Sequence, residues 1–266
     1  MLSSIFLKTL RDRRRSLLFW GVCFVLIAVM VVSLYPLIES FSAIQEYMEL
    51  FPEEFLALFT GGMNDFTSPE GYLHSELFFL IFPLLILVFA IGFGSNAVAG
   101  EEEQGTLDLL LSNPIPRWRL VLEKFVAMVF SIMLLTLLFW GTLAISGHVV
   151  DMGLSLARLA AVCFSAALLG VTFGAVALAV GCARGRRGLS MSTAGALVGY
   201  SYLLNTMAPL IDWLEPFQIL SPFYYYIGAD PLTNGLNGTH VAVLVGLTTV
   251  FVAVAIASFW KRDLAV

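Results

Sequence analysis

Charged side chains are scarce in this 266-residue chain. Asp, Glu, Lys and Arg make up 12% of it and 59% of its residues are hydrophobic, whereas about a quarter of a soluble domain is charged. The charges also lie almost wholly between long apolar runs. A lipid-facing surface explains both observations and an ordinary buried core explains neither, so the composition excludes a soluble globular protein.

Cysteines are also few, and clusters of basic residues next to aromatic ones are lacking. Cys23, Cys163 and Cys182 lie in or at the end of apolar runs, so their spacing predicts neither a disulfide framework nor a metal site. The net charge is −5, and no basic run is interleaved with aromatic residues. We therefore expect free thiols, no bound metal and no nucleic-acid partner.

Six segments lack acidic and basic residues for about the 20 positions that a bilayer requires. They are residues 16–38, 77–99, 125–147, 159–181, 188–211 and 240–260. A charge at mid-membrane costs about 2.5–3.5 kcal/mol on insertion, so such runs are not accidental. Helices are expected because lipid offers the backbone no hydrogen-bond partner. The predicted fold is an all-α integral membrane protein with six transmembrane helices in a single domain over residues 1–266.

If the six spans cross the membrane in alternating directions, lysine and arginine are distributed unequally between its two sides. One side carries nearly all of them, and the other carries Arg158 and most of the acids. The bases of the first side are Lys8, Arg11, Arg13, Arg14, Arg15, Arg117, Arg119, Lys124, Arg184, Arg186, Arg187, Lys261 and Arg262. Because basic loops stay in the cytoplasm, both termini are predicted to be cytoplasmic.

Residues 1–15 predict an amphipathic helix that lies on the cytoplasmic membrane surface. Leu2, Ile5, Phe6 and Leu10 share its apolar face, and the other face holds Lys8, Arg11, Asp12 and Arg15. This helix either anchors the topology on anionic lipid or also contacts a cytosolic partner.

The second cytoplasmic segment, 100–124, begins with three adjacent glutamates on the side where bases prevail. Gly105 and Thr106 predict a break and the N-cap of a new short helix, which Asn113 and Pro114 would end. The apolar face of this helix would consist of Leu107, Leu110 and Leu111. An exposed apolar ridge of this kind could dock to a partner protein. Alternatively, the helix lies on the membrane with this ridge among the lipid headgroups.

The pattern Gly-Glu-Glu-Glu-x-Gly-Thr-Leu-Asp-Leu-Leu-Leu-Ser-x-Pro-x-x-Arg at 100–117, followed by Lys124, resembles the cytoplasmic loop of type-2 ATP-binding-cassette (ABC) exporter permeases. The six-span topology and the basic N-terminus are similar to that family as well. There, the loop forms a coupling helix that inserts into a groove of the ATPase subunit. The resemblance implies an ATPase-coupling role for Glu101, Glu102, Glu103, Gly105, Thr106, Leu107, Leu110, Leu111, Pro114 and Arg117.

The resemblance also implies the partners. None of the three lysines follows a glycine, so the chain has no P-loop and cannot hydrolyse ATP by itself. We therefore expect ATP and Mg on a separate ABC ATPase subunit, no cofactor bound by this chain, and no enzymatic activity of its own. A second permease copy or homologue would complete the pathway, and membrane lipid would surround it. The expected location is the plasma membrane of a prokaryotic cell.

Two of the loops on the predicted outer side are long. Residues 39–76 are acidic and form either a solvated cap or a substrate gate with a cation-attracting vestibule. Residues 212–239 are rich in aromatic residues, which favour the membrane interface. In the resembled family the latter region forms a re-entrant hairpin that closes the exit of the pathway. The candidate extracellular gate residues are Phe217, Phe223, Tyr224 and Tyr225.

Mildly polar residues occur within the predicted spans. Asn96, Ser201, Asn205 and Thr206 are candidates to line a substrate pathway, and hydrogen bonding between helices is the alternative. Since the spans hold no fixed charge, an amphipathic, lipid-like, drug or peptide substrate is expected.

Other classes of function fit the sequence less well. A passive channel or a secondary transporter without an ATPase is the main alternative, but ion-coupled carriers place an acid or base at mid-membrane and none is found here. An intramembrane enzyme built on Ser190 lacks a base, since His74, His148 and His240 are predicted on the opposite side. A purely structural subunit would not need the apolar docking ridge.

Overall fold

The computed structural model describes residues 5–40, 68–107 and 116–262, and within these ranges the chain is helical with no strand. In chain order its α-helices are α1 (Ile5–Ser40), α2 (Pro69–Leu73), α3 (Ile81–Ala97), α4 (Ala99–Glu103), α5 (Arg117–Val149), α6 (Leu156–Arg184), α7 (Arg187–Met207), α8 (Pro222–Ile227), α9 (Pro231–Asn234) and α10 (Gly238–Lys261). A π-helical segment, His74–Phe78, joins α2 to α3. Two 3₁₀ helices, Ala208–Leu210 and Glu215–Leu220, lie between α7 and α8. The all-α prediction is confirmed for these residues.

Five helical stretches of the described chain are long and apolar enough to cross a membrane. They are Ile5–Ile38, Pro69–Ala97, Arg117–Val149, Leu156–Arg184 and Gly238–Lys261. The remaining predicted span, 188–211, coincides with α7, whose 21 residues extend about 31 Å. That length matches a hydrocarbon core of about 30 Å, but serines, glycines and Asn205 make α7 less apolar than the other five. Its membrane crossing stays a prediction.

The N-terminal part of the described chain belongs to the same helix as the first predicted span. From Ile5 onward, α1 is one continuous helix that includes the first span, with no break near residue 15. Its apolar face packs on the chain itself, since the Phe6 ring meets the Phe130 ring edge-on at 5.8 Å. The Phe6 N–H also donates to Glu123 Oε2 at 3.1 Å. Residues 5–15 are therefore helical but continuous with the first span, and their position on the membrane surface stays a prediction.

The helix α6 is at the centre of the bundle. It is buried along almost its whole length, and it contacts α3, α5, α7 and α10. Glycines permit the closest of these approaches, because a Cβ on Gly94 of α3 would collide with the Gly174 carbonyl oxygen of α6. Small residues are typical of closely packed interfaces between membrane helices. By contrast, a Cβ on Gly195 or on Gly199 of α7 would meet open space.

Helices α1 and α5 run in the same direction, side by side. Phe6 meets Phe130, and further along both helices Phe24 meets Phe139. Phe139 also stacks on Phe82 of α3, with ring centroids 4.0 Å apart. One face of α1 is thus buried in an aromatic core, while its opposite face exposes large apolar side chains such as Leu18, as expected where a helix faces lipid.

Candidate coupling site

The candidate coupling region begins where α4 ends, next to the starts of α5 and α7 and the end of α10. We call this part of the bundle the basic end. Gly105 adopts a left-handed conformation with φ of +67°. Its N–H donates to the Glu102 carbonyl at 3.0 Å, and the Thr106 N–H donates to the Glu101 carbonyl at 2.9 Å. These two bonds form the glycine-dependent helix stop that the sequence predicted at this position.

Glu101 pairs with a buried lysine of α5. Lys124 is only 2% exposed, and its Nζ lies 2.5 Å from Glu101 Oε1 and 2.5 Å from the Ala97 carbonyl oxygen, to which it donates. A buried ammonium group needs such partners, because desolvation of an unpaired charge is very unfavourable. Glu101 therefore fixes the start of α5 against the end of α3.

Glu102 pairs with Arg262, which directly follows α10. Arg262 Nη1 donates to Glu102 Oε2 at 2.9 Å, and Nη2 contacts the other carboxylate oxygen, so the pair is bidentate. The turn between α6 and α7 lies against this pair, because a Cβ on Gly185 would be 2.5 Å from Glu102 Oε2. Gly185 also has a φ of +64°, which favours glycine.

Glu103 contacts the start of α7. Its Oε1 accepts a hydrogen bond of 2.8 Å from the backbone N–H of Arg187, the first residue of that helix. A carboxylate at a helix N-terminus satisfies a backbone donor and interacts favourably with the helix dipole. The three consecutive glutamates thus bind three different helices: α5, α10 and α7.

Arg117, on the other side of the segment, reaches the same place as Glu102. Its Nη1 donates to the Arg262 carbonyl at 2.8 Å, and its guanidinium lies 5.9 Å from the centre of the Phe259 ring. Residues 108–115 lie outside the described ranges, so Leu110, Leu111 and Pro114 cannot be placed. The residues that flank this stretch both bind the end of α10.

The position of Leu107 corrects part of the sequence interpretation. Its side chain is 2% exposed and belongs to a buried cluster that includes Val98, Leu120 and Phe259. It was expected on an exposed docking ridge, but the ends of α5 and α10 form an apolar pocket that covers it. Leu107 is therefore not available to a partner protein.

The candidate gate residues lie at the opposite end of the bundle and do not form one group. The Tyr224 and Tyr225 rings pack against each other and against His240, with centroids 5.2–5.3 Å apart. Phe223 is buried against Tyr202 instead. Phe217, on the preceding 3₁₀ helix, is half exposed.

The candidate pathway residues are also separated. Asn96 is near the basic end, whereas Ser201 is 14 residues, about 21 Å, along α7 from Arg187. The Ser201 carbonyl accepts a bond from Ser221 at 2.7 Å, and the Asn205 carbonyl accepts one from Gln218 at 3.3 Å. Thr206 donates to Tyr202 within α7. The first two bonds use backbone carbonyls and the third lies within α7, so a substrate pathway along these side chains stays a prediction.

Tyr226 is a residue that the sequence interpretation missed. It is fully buried, its hydroxyl donates to the Phe78 carbonyl at 2.7 Å, and its own carbonyl accepts from Ser165 at 2.9 Å. Burial raises the pKa of the Tyr226 phenol well above its ordinary value, so the hydroxyl remains a donor. The only available signal was its place in an aromatic run, and this did not distinguish it from its neighbours.

Among the described residues, no group of three His, Cys, Asp or Glu could hold a metal ion. Comparison with known proteins gives two matches. The model of the family described as ABC-2 family transporter protein matches residues 3–264. The uncharacterized protein YhcI of Bacillus subtilis (strain 168) is 22% identical to this chain over 208 residues, which cover 69% of this chain and 66% of that protein.

Proposed function

The chain belongs to the ABC-2 family of transporter proteins, and we propose that it is the membrane-spanning permease subunit of an ATP-driven ABC exporter moved by a separate ATPase subunit. Coupling to the ATPase is supported by one observation: three consecutive glutamates bind three different helices. An ATPase docked on residues 100–117 would move those helices through the bonds.

The route of this movement follows from the contacts. A force on residues 108–115 is applied to Glu102 and Arg117, which flank them and both hold Arg262 at the end of α10. It also reaches α7 through the bond from Glu103 to the Arg187 N–H. Since α6 packs against both α7 and α10, a coordinated shift of these two helices would tilt the bundle around α6.

The proposed topology has six spans with α7 as the fifth, both termini in the cytoplasm and a prokaryotic plasma membrane as the location. The asymmetry of basic residues supports this orientation. Two copies, or two homologous permeases, would face each other, each above one ATPase. ATP and Mg would be bound by the ATPase subunits.

The proposed substrate class is amphipathic: a lipid-like molecule, a drug or a peptide. The charge-free centres of the long helices support this class, because a fixed charge there would be expected for an ion-coupled carrier. On the outer side, the ring cluster of Tyr224, Tyr225 and His240 would form the gate of a re-entrant hairpin.

The test is co-purification with a candidate ABC ATPase subunit of the same organism, co-expressed with this chain. Leu110→Asp combined with Leu111→Asp should abolish the complex, because it places charges on the predicted docking face. Val149→Asp is the matched control, since Val149 is an exposed apolar residue at the opposite end of α5. A complex that survives the double change with full ATPase activity would contradict the docking assignment and favour a channel or a secondary transporter.

A further inference from the structure

A narrow apolar groove runs along the outer seam between α1 and α5. Its volume is about 630 Å³, within the range of ligand sites, and its walls include Val22 and Leu26 of α1 and Leu134 of α5. The helices come closest at Gly21, where a Cβ would lie 3.2 Å from Leu138 Cδ2. The groove is therefore open along its length to the surface that faces lipid.

The groove has a cation at one end only. Arg14 is the charged residue of its lining, and the rest of the lining is apolar except for the backbone. The positions three and four residues from Arg14 along α1 hold leucine or arginine, so no acid of that helix can pair with it. The ion pairs that the structure describes use other bases, namely His74, Arg119, Lys124 and Arg262. The guanidinium is thus available to an anion.

The length of the groove fits one leaflet of a bilayer. Arg14 and Leu26 are 12 residues apart on a continuous helix, which is about 18 Å. One leaflet contributes about 15 Å of hydrocarbon, half of the core thickness. With the apolar part of the groove in the hydrocarbon, Arg14 is therefore at the level of the lipid headgroups.

From this arrangement we propose that the groove is a binding site for one anionic phospholipid. One acyl chain lies along Val22 and Leu26, and the headgroup phosphate binds Arg14. The cation at one end and the apolar walls along the rest of the groove both favour a lipid. A phospholipid likewise has its phosphate at one end and its acyl chains beyond it. The proposal does not depend on the transported substrate or on the ATPase.

Native mass spectrometry of the purified full chain tests the site. The protein is titrated with phosphatidylglycerol or with phosphatidylcholine of the same acyl chains. One phosphatidylglycerol should bind about fivefold more tightly than phosphatidylcholine, as expected for one added cation near a headgroup. Arg14→Gln should abolish this preference. Val22→Trp, which fills the groove from an exposed position, should lower the retention of both lipids.

Two control variants share the helix but not the groove. Arg15 is also exposed but points about 100° away from Arg14, so Arg15→Gln should keep the preference. Val29 is an exposed valine two turns further along, and Val29→Trp should retain lipid. The proposal is overturned if Arg14→Gln and Arg15→Gln act equally, if Val22→Trp retains lipid as Val29→Trp does, or if inorganic phosphate displaces the lipid.

Discussion

The two ends of the helical bundle are held together by different interactions. At the basic end, the side chains of Glu101 and Glu102 form ion pairs with Lys124 and Arg262. At the opposite end, which we call the aromatic end, neutral hydrogen bonds and rings predominate, and the Tyr226 hydroxyl binds a backbone carbonyl. A histidine contact there, His74 Nδ1 to Asp230 Oδ1 at 3.9 Å, is ionic only when the histidine is protonated.

This difference matches what each end is proposed to do. The pair of Glu102 with Arg262 is partly exposed and contributes little net stability, so α10 can be displaced and realigned at low cost. The pair of Glu101 with Lys124 is more buried and keeps α5 attached. Buried neutral hydrogen bonds and packed rings strongly favour one arrangement, since a broken bond leaves an unsatisfied polar group. We infer that the basic end receives movement and that the aromatic end resists it until the gate opens.

The largest effect on stability is expected for Glu101→Gln. This change leaves the Lys124 ammonium buried without its counter-charge, which costs about 3–5 kcal/mol when one partner of a buried ion pair is removed. Thermal unfolding in detergent measures the loss. The double variant Glu101→Gln/Lys124→Met should recover most of it, because no charge is left buried. If the double variant were as unstable as Glu101→Gln, the ion pair would not be what holds α5.

At the aromatic end, Tyr226→Phe is expected to have the next largest effect. It removes the donor to the Phe78 carbonyl at a buried site, which costs about 1–3 kcal/mol. Tyr225→Phe is the control, since that tyrosine is only half-buried and the change should stay within about 0.5 kcal/mol. The Tyr226→Phe loss should be the same at low and high salt. A strong salt dependence would mean that this end is also held by charge.

Glu102→Gln is expected to have a smaller effect than Glu101→Gln or Tyr226→Phe, about 1 kcal/mol, because the pair with Arg262 is partly exposed. The loss should shrink in 1 M salt, where the screening length is about 3 Å. Arg119→Gln, which breaks an exposed pair with Glu123 within α5, should cost about 0.3–0.5 kcal/mol. Equal losses from Glu102→Gln at both salt concentrations would contradict the ionic description of the basic end.

The sequence predicted the long helices well, because each needs only a local property. A charge-free run of about 20 residues indicates a membrane helix wherever it lies. The helix stop at Gly105 was predicted for the same reason, since a left-handed turn strongly favours glycine. The crossing by α7 was not confirmed, because its small and polar residues make its local signal weaker.

The partners of the glutamates could not be predicted from the sequence. Glu102 and Arg262 are 160 residues apart, and no local pattern links them. The burial of Leu107 was missed for a similar reason: a leucine on an amphipathic turn can face lipid, a partner or its own chain, and only the positions of α5 and α10 decide between these. Long-range contacts therefore define this site, although its residues stand out in the sequence.

A distance between α7 and α10 tests the proposal that the glutamates transmit ATPase movement to these helices. Spin labels are placed at Leu189 and Trp260, which are exposed, with Cys23 replaced by serine. Trapping the ATPase-bound complex with ATP should change the distance between the labels. In the variant Glu102→Gln/Glu103→Gln, the ATPase should still bind and the distance should stay constant. An unchanged response to ATP in that variant would contradict the account.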